Sequence, residues 1–517
     1  MLTELAMDSV KKATLILHEK LGANKVIFPN DSQDTTHRSS GERDPSFYML
    51  AQATEVTPAC SVLPADTEDV VSAIDILREA GATFAVKSGG HSTYSTGSNV
   101  ENGIVINLCH LKNINISVDQ KSVTVGSGCR FGEVYSKLAD LKLGCVGGRV
   151  SSVGVGGLVL GGGISFFSSE RGLACDNIIS YELVLISGQV LKVTRESYRD
   201  LFWAMRGAGS CFGIVTRFEL KTFEMGKIWG GTRTYAHEHE TAVFDSFDTF
   251  VQTGAVANAL AQAYIIGTDA AKDGNYIYSV TMSHGSPEEP PVFDDFKHLT
   301  PLESTTQTRT LKDLCDELDT HMEAGIRYLS IDGKEKHPMS KELMEFLRYH
   351  ILALSIKYDR ETLKEIIDLY AEGAMLLKDQ DDFAPAFVCQ PLLPSMLPKD
   401  DIGNPMGIKP EDGPLILFTP VWRWTEKKHD EAIRKAANIF EEKAEKAARS
   451  RGKFHRYRVL NYSTAHQDVY GGYGEENRKR LLEIRDKYDP VDIMSKLRPG
   501  IIQLLPQKNT GVYGSDM

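Results

Sequence analysis

The chain has 517 residues, 42% of them hydrophobic and 25% charged, with a formal net charge of -12. That length exceeds one ordinary core and predicts two or three domains of a soluble globular protein. The acidic balance argues against a general nucleic-acid binder, which needs a basic face to meet phosphates.

Residues 8–22 are predicted to be helical, because Val10, Ala13, Leu17 and Leu21 recur at helical spacing. Cys60 to Leu63 and Phe84 to Val86 read as short strands, with Asp66 capping a helix between them that carries Val70, Ile74 and Leu77. Strands are expected at Ile104 to Leu108, Ile114 to Val118 and Val123 to Val125, then a helix at Phe131 to Leu141. Ile178 to Ile186 and Gln189 to Val193 predict a hairpin around Ser187-Gly188, and Gly213 to Phe223 a further strand. Strands and helices mix here without strict alternation, so the class is α+β.

The middle region predicts an antiparallel sheet. Ala259 to Ile266 and Tyr276 to Met282 pair through a turn at Asp273-Gly274, and Glu303 to Thr310, Ala384 to Cys389 and Leu415 to Trp424 extend them. Helices at about 340–350, 359–378 and 426–449 cover one face; in the last, Ile433, Ala436, Ala437, Phe440 and Ala444 line one side. A strand at Arg458 to Tyr462 and a helix at Glu475 to Tyr488 close the chain.

Eight scattered cysteines form no C-x-x-C pair, which argues against a zinc ribbon or thioredoxin-type site. His237-Glu238-His239-Glu240 is not H-E-x-x-H, so no metal site is expected. Met1 to Lys20 has no continuous apolar core, so an intracellular, cytoplasmic setting is the expectation. The uncharged run Val150 to Ser169 is long enough to span a membrane, but six glycines and five serines fit a ligand-facing backbone better.

Three glycine-rich segments carry the chemistry. Lys87-Ser88-Gly89-Gly90-His91-Ser92 follows a strand. Paired glycines let the backbone approach a ligand, and successive N–H groups make a nest for phosphate oxygens, with His91 at its end. From Gly144 to Gly163, nine of twenty residues are glycine and Arg149 is the only charge. Its heart is Val153-Gly154-Val155-Gly156-Gly157, followed by Gly161-Gly162-Gly163. It is neither a Walker A loop nor a Rossmann fingerprint, but a side-chain-poor surface on which a planar cofactor could lie. The third, Gly207 to Thr216, leads a glycine turn into a strand containing Ile214 and Val215.

In that order the three segments resemble the FAD-binding domain of the vanillyl-alcohol oxidase and p-cresol methylhydroxylase (PCMH) superfamily, in its berberine-bridge-enzyme-like branch of fungal type. Asn461-Tyr462 and the helix ending Tyr488-Asp489-Pro490 resemble that branch's C-terminal segment. The resemblance implies a PCMH-type FAD domain over residues 1–225, with its core at about 54–225. It implies a substrate domain over 226–455, an antiparallel sheet covered by helices, and a segment 456–517 that completes the FAD domain.

The resemblance further implies that Ser88 to Ser92 hold the FAD pyrophosphate and that His91 bonds the flavin 8α-methyl. Val153, Gly154, Gly156, Gly157, Ile214 and Val215 would line the cofactor through their backbone. Relatives with a second covalent bond carry a cysteine where Val150 stands here, so a single histidyl linkage is expected. Leu158 stands where some relatives have histidine, and Val459 replaces the first tyrosine of a Y-x-N-Y motif. Val153 holds a position where valine accompanies oxidases.

Tyr462 is the candidate catalytic base, since a phenol near the flavin can take a hydroxyl proton if its pKa is lowered. The residues equally allow that it only packs. The expected activity is a flavin-dependent oxidase of a small organic metabolite in fungal specialised metabolism, with O2 as electron acceptor. A carbohydrate or alcohol oxidase, and a redox-neutral isomerase or cyclase with flavin as scaffold, are the alternatives. The partners are a small-molecule substrate and O2, with neither nucleic acid nor membrane; nothing in the sequence fixes an oligomeric state.

Overall fold

Asp66 accepts a hydrogen bond from Asp69 N at 2.9 Å and so starts the helix Thr67–Ala80, which Gly81 ends in a left-handed conformation. This helix links the strands Cys60–Val62 and Phe84–Lys87, which flank Ile104–Asn107 in parallel. Val26–Ile27 adds an antiparallel edge. The computed structural model describes residues 2–29, 48–269, 273–324, 347–380 and 382–505.

A second sheet is antiparallel, in the order Ile114–Ile116, Ser122–Gly126, Ile214–Glu224, Ile178–Val184 and Val190–Thr194. Leu143–Cys145 joins it on Ile214–Glu224. The third and largest sheet is also antiparallel. Its centre runs Ile228–Tyr235, Ile277–His284, Ala261–Thr268, Ala384–Leu392, Leu415–Trp424 and Leu354–Lys357. The fold is therefore α+β, with antiparallel sheets predominating.

Alternation in the third sheet separates two environments. One face turns Phe387, Phe418 and Trp422 toward the helices Arg360–Met375 and Asp430–Ser450. There Tyr370 packs against all three rings and against Phe440, with centroids 4.9–6.3 Å apart. The Tyr370 hydroxyl donates to Val421 O and accepts from Ala386 N, each at 3.0 Å. The opposite face carries Ala386, Val388, Thr419 and Val421, which line a cavity.

Two sequence expectations are corrected. Of the helix expected at about 340–350, residues 340–346 lie outside the described residues, and Arg348–Ile351 is a strand paired with Val421–Trp424. Strand pairing decides that segment, and Arg348 is buried between Glu55 and Asp430. The strand expected at Arg458 to Tyr462 is instead a single 3₁₀ turn, Leu460–Tyr462. That turn aims Asn461 at the glycine-rich segment, which an extended chain would not do.

The tail packs back onto the N-terminal half. The Tyr470 and Tyr473 hydroxyls donate to Ala208 O at 2.9 Å and Gly207 O at 2.7 Å. Arg498 donates to Ser210 O at 2.8 Å and to Ser210 Oγ at 3.0 Å. No described helix is long and apolar enough to cross a membrane.

Glu441 ties the helix Asp430–Ser450 to the tail. It accepts from Arg458 Nη1 at 3.0 Å and Gln467 Nε2 at 2.6 Å, and lies 3.1 Å from His466 Nε2. Burial pushes its pKa up, but the His466 hydrogen bond and the Arg458 charge outweigh burial and bring it from 4.5 to about 2. A depressed folded-state pKa contributes stability above the unfolded value, and that stability is lost as pH falls through the folded value. Glu441→Gln should therefore cost on the order of 2 kcal/mol at neutral pH. The difference from wild type should vanish as pH falls from 4.5 to about 2, read from urea unfolding at each pH.

Candidate functional site

Two backbone loops meet to make the floor of the cavity. The first is the turn Ser88 to Ser92, directly after Phe84–Lys87. The second is Val153 to Gly157, which opens the short helix Val155–Leu160. A Cβ on Gly89 would lie 2.4 Å from Gly154 N, and one on Gly154 would lie 2.4 Å from Gly89 N. Only glycine at both positions permits this approach. Ser88 Oγ donates to Ser127 O at 2.6 Å, and Val155 N to Cys129 O at 2.9 Å, which anchors both loops to the second sheet.

The cavity above this floor has a volume of about 520 Å³. Ser88, Gly89, Gly90, His91 and Ser92 reach its wall, as do Val153, Gly154, Gly156, Gly157, Ile214 and Val215. Asn461 and Tyr462 come to the same wall from the tail. Asn461 is clamped on the glycine-rich segment. Its Nδ2 donates to Gly157 O at 3.1 Å and Leu158 O at 3.3 Å, and its Oδ1 accepts from Gly163 N at 3.2 Å. A Cβ on Gly161 would lie 2.2 Å from Asn461 Nδ2, so that clamp requires glycine there. Two predicted residues lie behind the wall. Lys87 is buried over the Tyr48 ring at 3.8 Å, and Gly163 serves Asn461.

The roof is the third sheet. Tyr264, Ile266, Val388, Gln390, Val421 and Arg423 face the cavity from alternating positions. Arg423 is opposite Ala384, six residues along the same strand from Gln390, so the two mark opposite ends of the roof, about 20 Å apart. Val150 reaches the wall. Cys145 is buried in the second sheet opposite Thr222, and burial pushes its thiol up to about 12.

The polarity of this space is one-sided. Among the described residues its wall holds Arg149, Arg423 and Arg498 but no Asp or Glu. Burial pulls the Arg498 pKa down to about 10, and its Nε is a buried donor with no hydrogen-bond partner among the described residues. Gly157 adds an open ledge, since a Cβ there would touch nothing within 4 Å. A buried cation with an uncommitted donor, beside glycine backbone and an open ledge, fits a phosphate-bearing planar cofactor.

Arg149 stacks over the Tyr264 ring at 4.4 Å, and its Nη2 donates to Gln390 Oε1 at 2.8 Å and to Tyr462 Oη at 3.2 Å. Burial alone would lower its pKa; the Tyr462 and Tyr264 oxygens outweigh burial and raise it, so it stays charged. The sequence singled out Arg149 only as the one charge in a glycine-rich run. Its partners Gln390 and Tyr462 stand 241 and 313 residues away, beyond any local pattern.

Residues 58–194 match a family model described as an FAD binding domain. The chain is 33% identical over 473 residues to an FAD-dependent monooxygenase of Cochliobolus heterostrophus, covering 89% of this chain and 88% of the relative. It is 31% identical over 469 residues to an FAD-dependent monooxygenase of Fusarium proliferatum, covering 88% and 86%. Among solved structures, 6-hydroxy-D-nicotine oxidase from Arthrobacter nicotinovorans superposes with a TM-score of 0.72 at 19% identity, covering 93% of this chain and 98% of that one. Xylooligosaccharide oxidase from Myceliophthora thermophila superposes with a TM-score of 0.69 at 19% identity, covering 95% and 98%. At that identity the two structures show the fold alone.

The floor geometry sets up a paired test. Gly89→Ala pushes a methyl into backbone and should lower the unfolding free energy by about 1–3 kcal/mol. Gly157→Ala projects into open space and should change it by less than about 0.5 kcal/mol. Denaturant unfolding of the two variants beside wild type checks the contrast.

Proposed function

We propose that this chain, which belongs to the FAD-dependent oxidoreductases, is a member of the vanillyl-alcohol oxidase and p-cresol methylhydroxylase superfamily in its berberine-bridge-enzyme-like branch, and an oxidase of a small organic metabolite with FAD bound covalently to His91. The observation that carries this reading is that His91, both glycine loops and Tyr462 share one cavity wall. Val150 on that wall and the buried Cys145 away from it support a single, histidyl linkage.

Bound FAD supplies the hydride acceptor, and O2 takes its electrons. The chain's own residues do the rest. The Ser88 to Ser92 backbone and Arg498 would hold the phosphates, with Lys87 and Gly163 packed behind the wall. Val153, Gly154, Gly156, Gly157, Ile214 and Val215 would line the cofactor, and Asn461 fixes the glycine segment. Tyr462, its oxygen held by Arg149, would as the phenolate take the substrate's hydroxyl proton and become the neutral phenol, while the adjacent C–H bond would give its hydride to the flavin. The same reading assigns residues 1–225 and 456–517 to an FAD domain and 226–455 to a substrate domain. The contacts of Asn461, Tyr470, Tyr473 and Arg498 with the N-terminal half support that division. The fungal relatives support a place in fungal specialised metabolism.

Acid denaturation of the purified protein should leave yellow colour in the pellet. His91→Ala should release its flavin or bind none; colour retained through denaturation by that variant contradicts the linkage. Tyr462→Phe should slow anaerobic flavin reduction about a hundredfold, with flavin content unchanged. Full activity in that variant would leave Tyr462 a packing residue.

The names of the fungal relatives favour a second reading, a monooxygenase. Turnover under 18O2 separates the readings. Peroxide equal to the oxygen consumed marks an oxidase, label in the organic product a monooxygenase, and no oxygen uptake a redox-neutral enzyme.

A further inference from the structure

We propose that the substrate carries an anionic oxygen, a carboxylate or an acidic phenol, and that the Arg149 guanidinium receives it at the Gln390 end of the roof. This inference rests on the flavoenzyme reading above and names the substrate class of the same cavity.

Four observations lead there. First, Arg149 is charged and reaches the cavity wall. Second, its polar contacts among the described residues, to Gln390 and Tyr462, both use Nη2, and neither partner is a carboxylate. Nη1 and Nε are left for a ligand, and an arginine fork with open N–H groups matches a carboxylate. Third, stacking on Tyr264 holds the guanidinium plane on one side. A pre-oriented fork loses less freedom on binding than a flexible lysine would. Fourth, the chain holds 70 Asp and Glu against 58 Lys and Arg, yet the described cavity wall holds no Asp or Glu. A cationic amine substrate would find no counter-charge on that wall.

Arg498 and Arg149 serve different sides of the cavity. Arg498 is bonded to Ser210, beside the glycine turn that precedes Ile214. Arg149 is bonded to Gln390 on the roof strand Ala384–Leu392. The roof beside it is apolar at Ile266, Val388 and Val421. The ligand that fits is an apolar, planar body with one acidic oxygen at its end. Arg149 would then bring the substrate's acidic oxygen close to Tyr462, because one guanidinium holds both.

The test uses the flavin-loaded enzyme and two matched pairs of probes, benzoate against benzamide and 2-naphthoate against 2-naphthamide. Binding is read from the change each probe causes in the flavin absorption spectrum. Each carboxylate should bind at least tenfold more tightly than its amide. Arg149→Gln should abolish that preference while leaving amide binding within about threefold, and Arg149→Lys should keep part of it; a charge-assisted hydrogen bond accounts for a difference of this size. Amides binding as well as the acids in wild type, neither binding, or a preference that survives Arg149→Gln would each overturn the proposal. So would an Arg149→Gln variant that weakens acid and amide equally, which would assign Arg149 to the flavin. Protein that purifies without flavin would refute the underlying flavoenzyme reading instead, and so is distinguishable from failure of the substrate class.

Discussion

The site depends on one contact between backbones. Gly89 and Gly154 come so close that a single added carbon on either would sit 2.4 Å from the nitrogen of the other. Gly89 follows the edge strand of the first sheet in a turn fastened to Ser127, and Gly154 belongs to a loop fastened to Cys129, both just beyond a strand of the second sheet. The contact therefore joins two sheets, sets the angle between their loops and lays a floor with no side chains. His91 reaches the cavity wall because the turn that makes this contact ends there. Burying so much backbone is tolerable only where its polar groups find partners, and Ser88, Asn461 and the short helix Val155–Leu160 supply several.

The roof solves a different problem. A sheet that must present a wall to a ligand cannot also rely on that face for its core. Here the other face does the packing, where Tyr370 locks Phe387, Phe418 and Trp422 against two helices. That leaves Ala386, Val388, Gln390, Thr419, Val421 and Arg423 available to the cavity. Alternation along two strands thus divides structural duty from recognition. The tail completes the enclosure by carrying Asn461 and Tyr462 to the junction, and Glu441 fastens that tail to the roof's covering helix.

Much of this was legible in the sequence, for definite reasons. The glycine loops stand out because they violate ordinary composition, and the three segments in order specify a family where each alone does not. The strand Leu415–Trp424 and the helix Glu475–Tyr488 appear with the bounds that periodicity gave them. Arg348–Ile351, a mixed Arg-Tyr-His-Ile segment, has no pattern that separates helix from strand, and only its pairing with Val421–Trp424 decides. Leu460–Tyr462 was misread because its turn is imposed by the Asn461 clamp, a contact with residues about 300 positions away. The roles of Arg149, Gln390 and Arg423 are not legible in the sequence for the same reason: their meaning lies in what they share a wall with, not in what precedes them.

The account turns on a cofactor held by the two glycine loops and attached at one side chain. The most direct measurement is mass spectrometry of a proteolytic digest, prepared under denaturing conditions, that locates the flavin on the chain. The account predicts one flavin-bearing peptide, with the adduct on His91 and unmodified peptides containing Cys145 and Val150. An adduct on Cys145, or a digest in which every peptide is free of flavin, would contradict it.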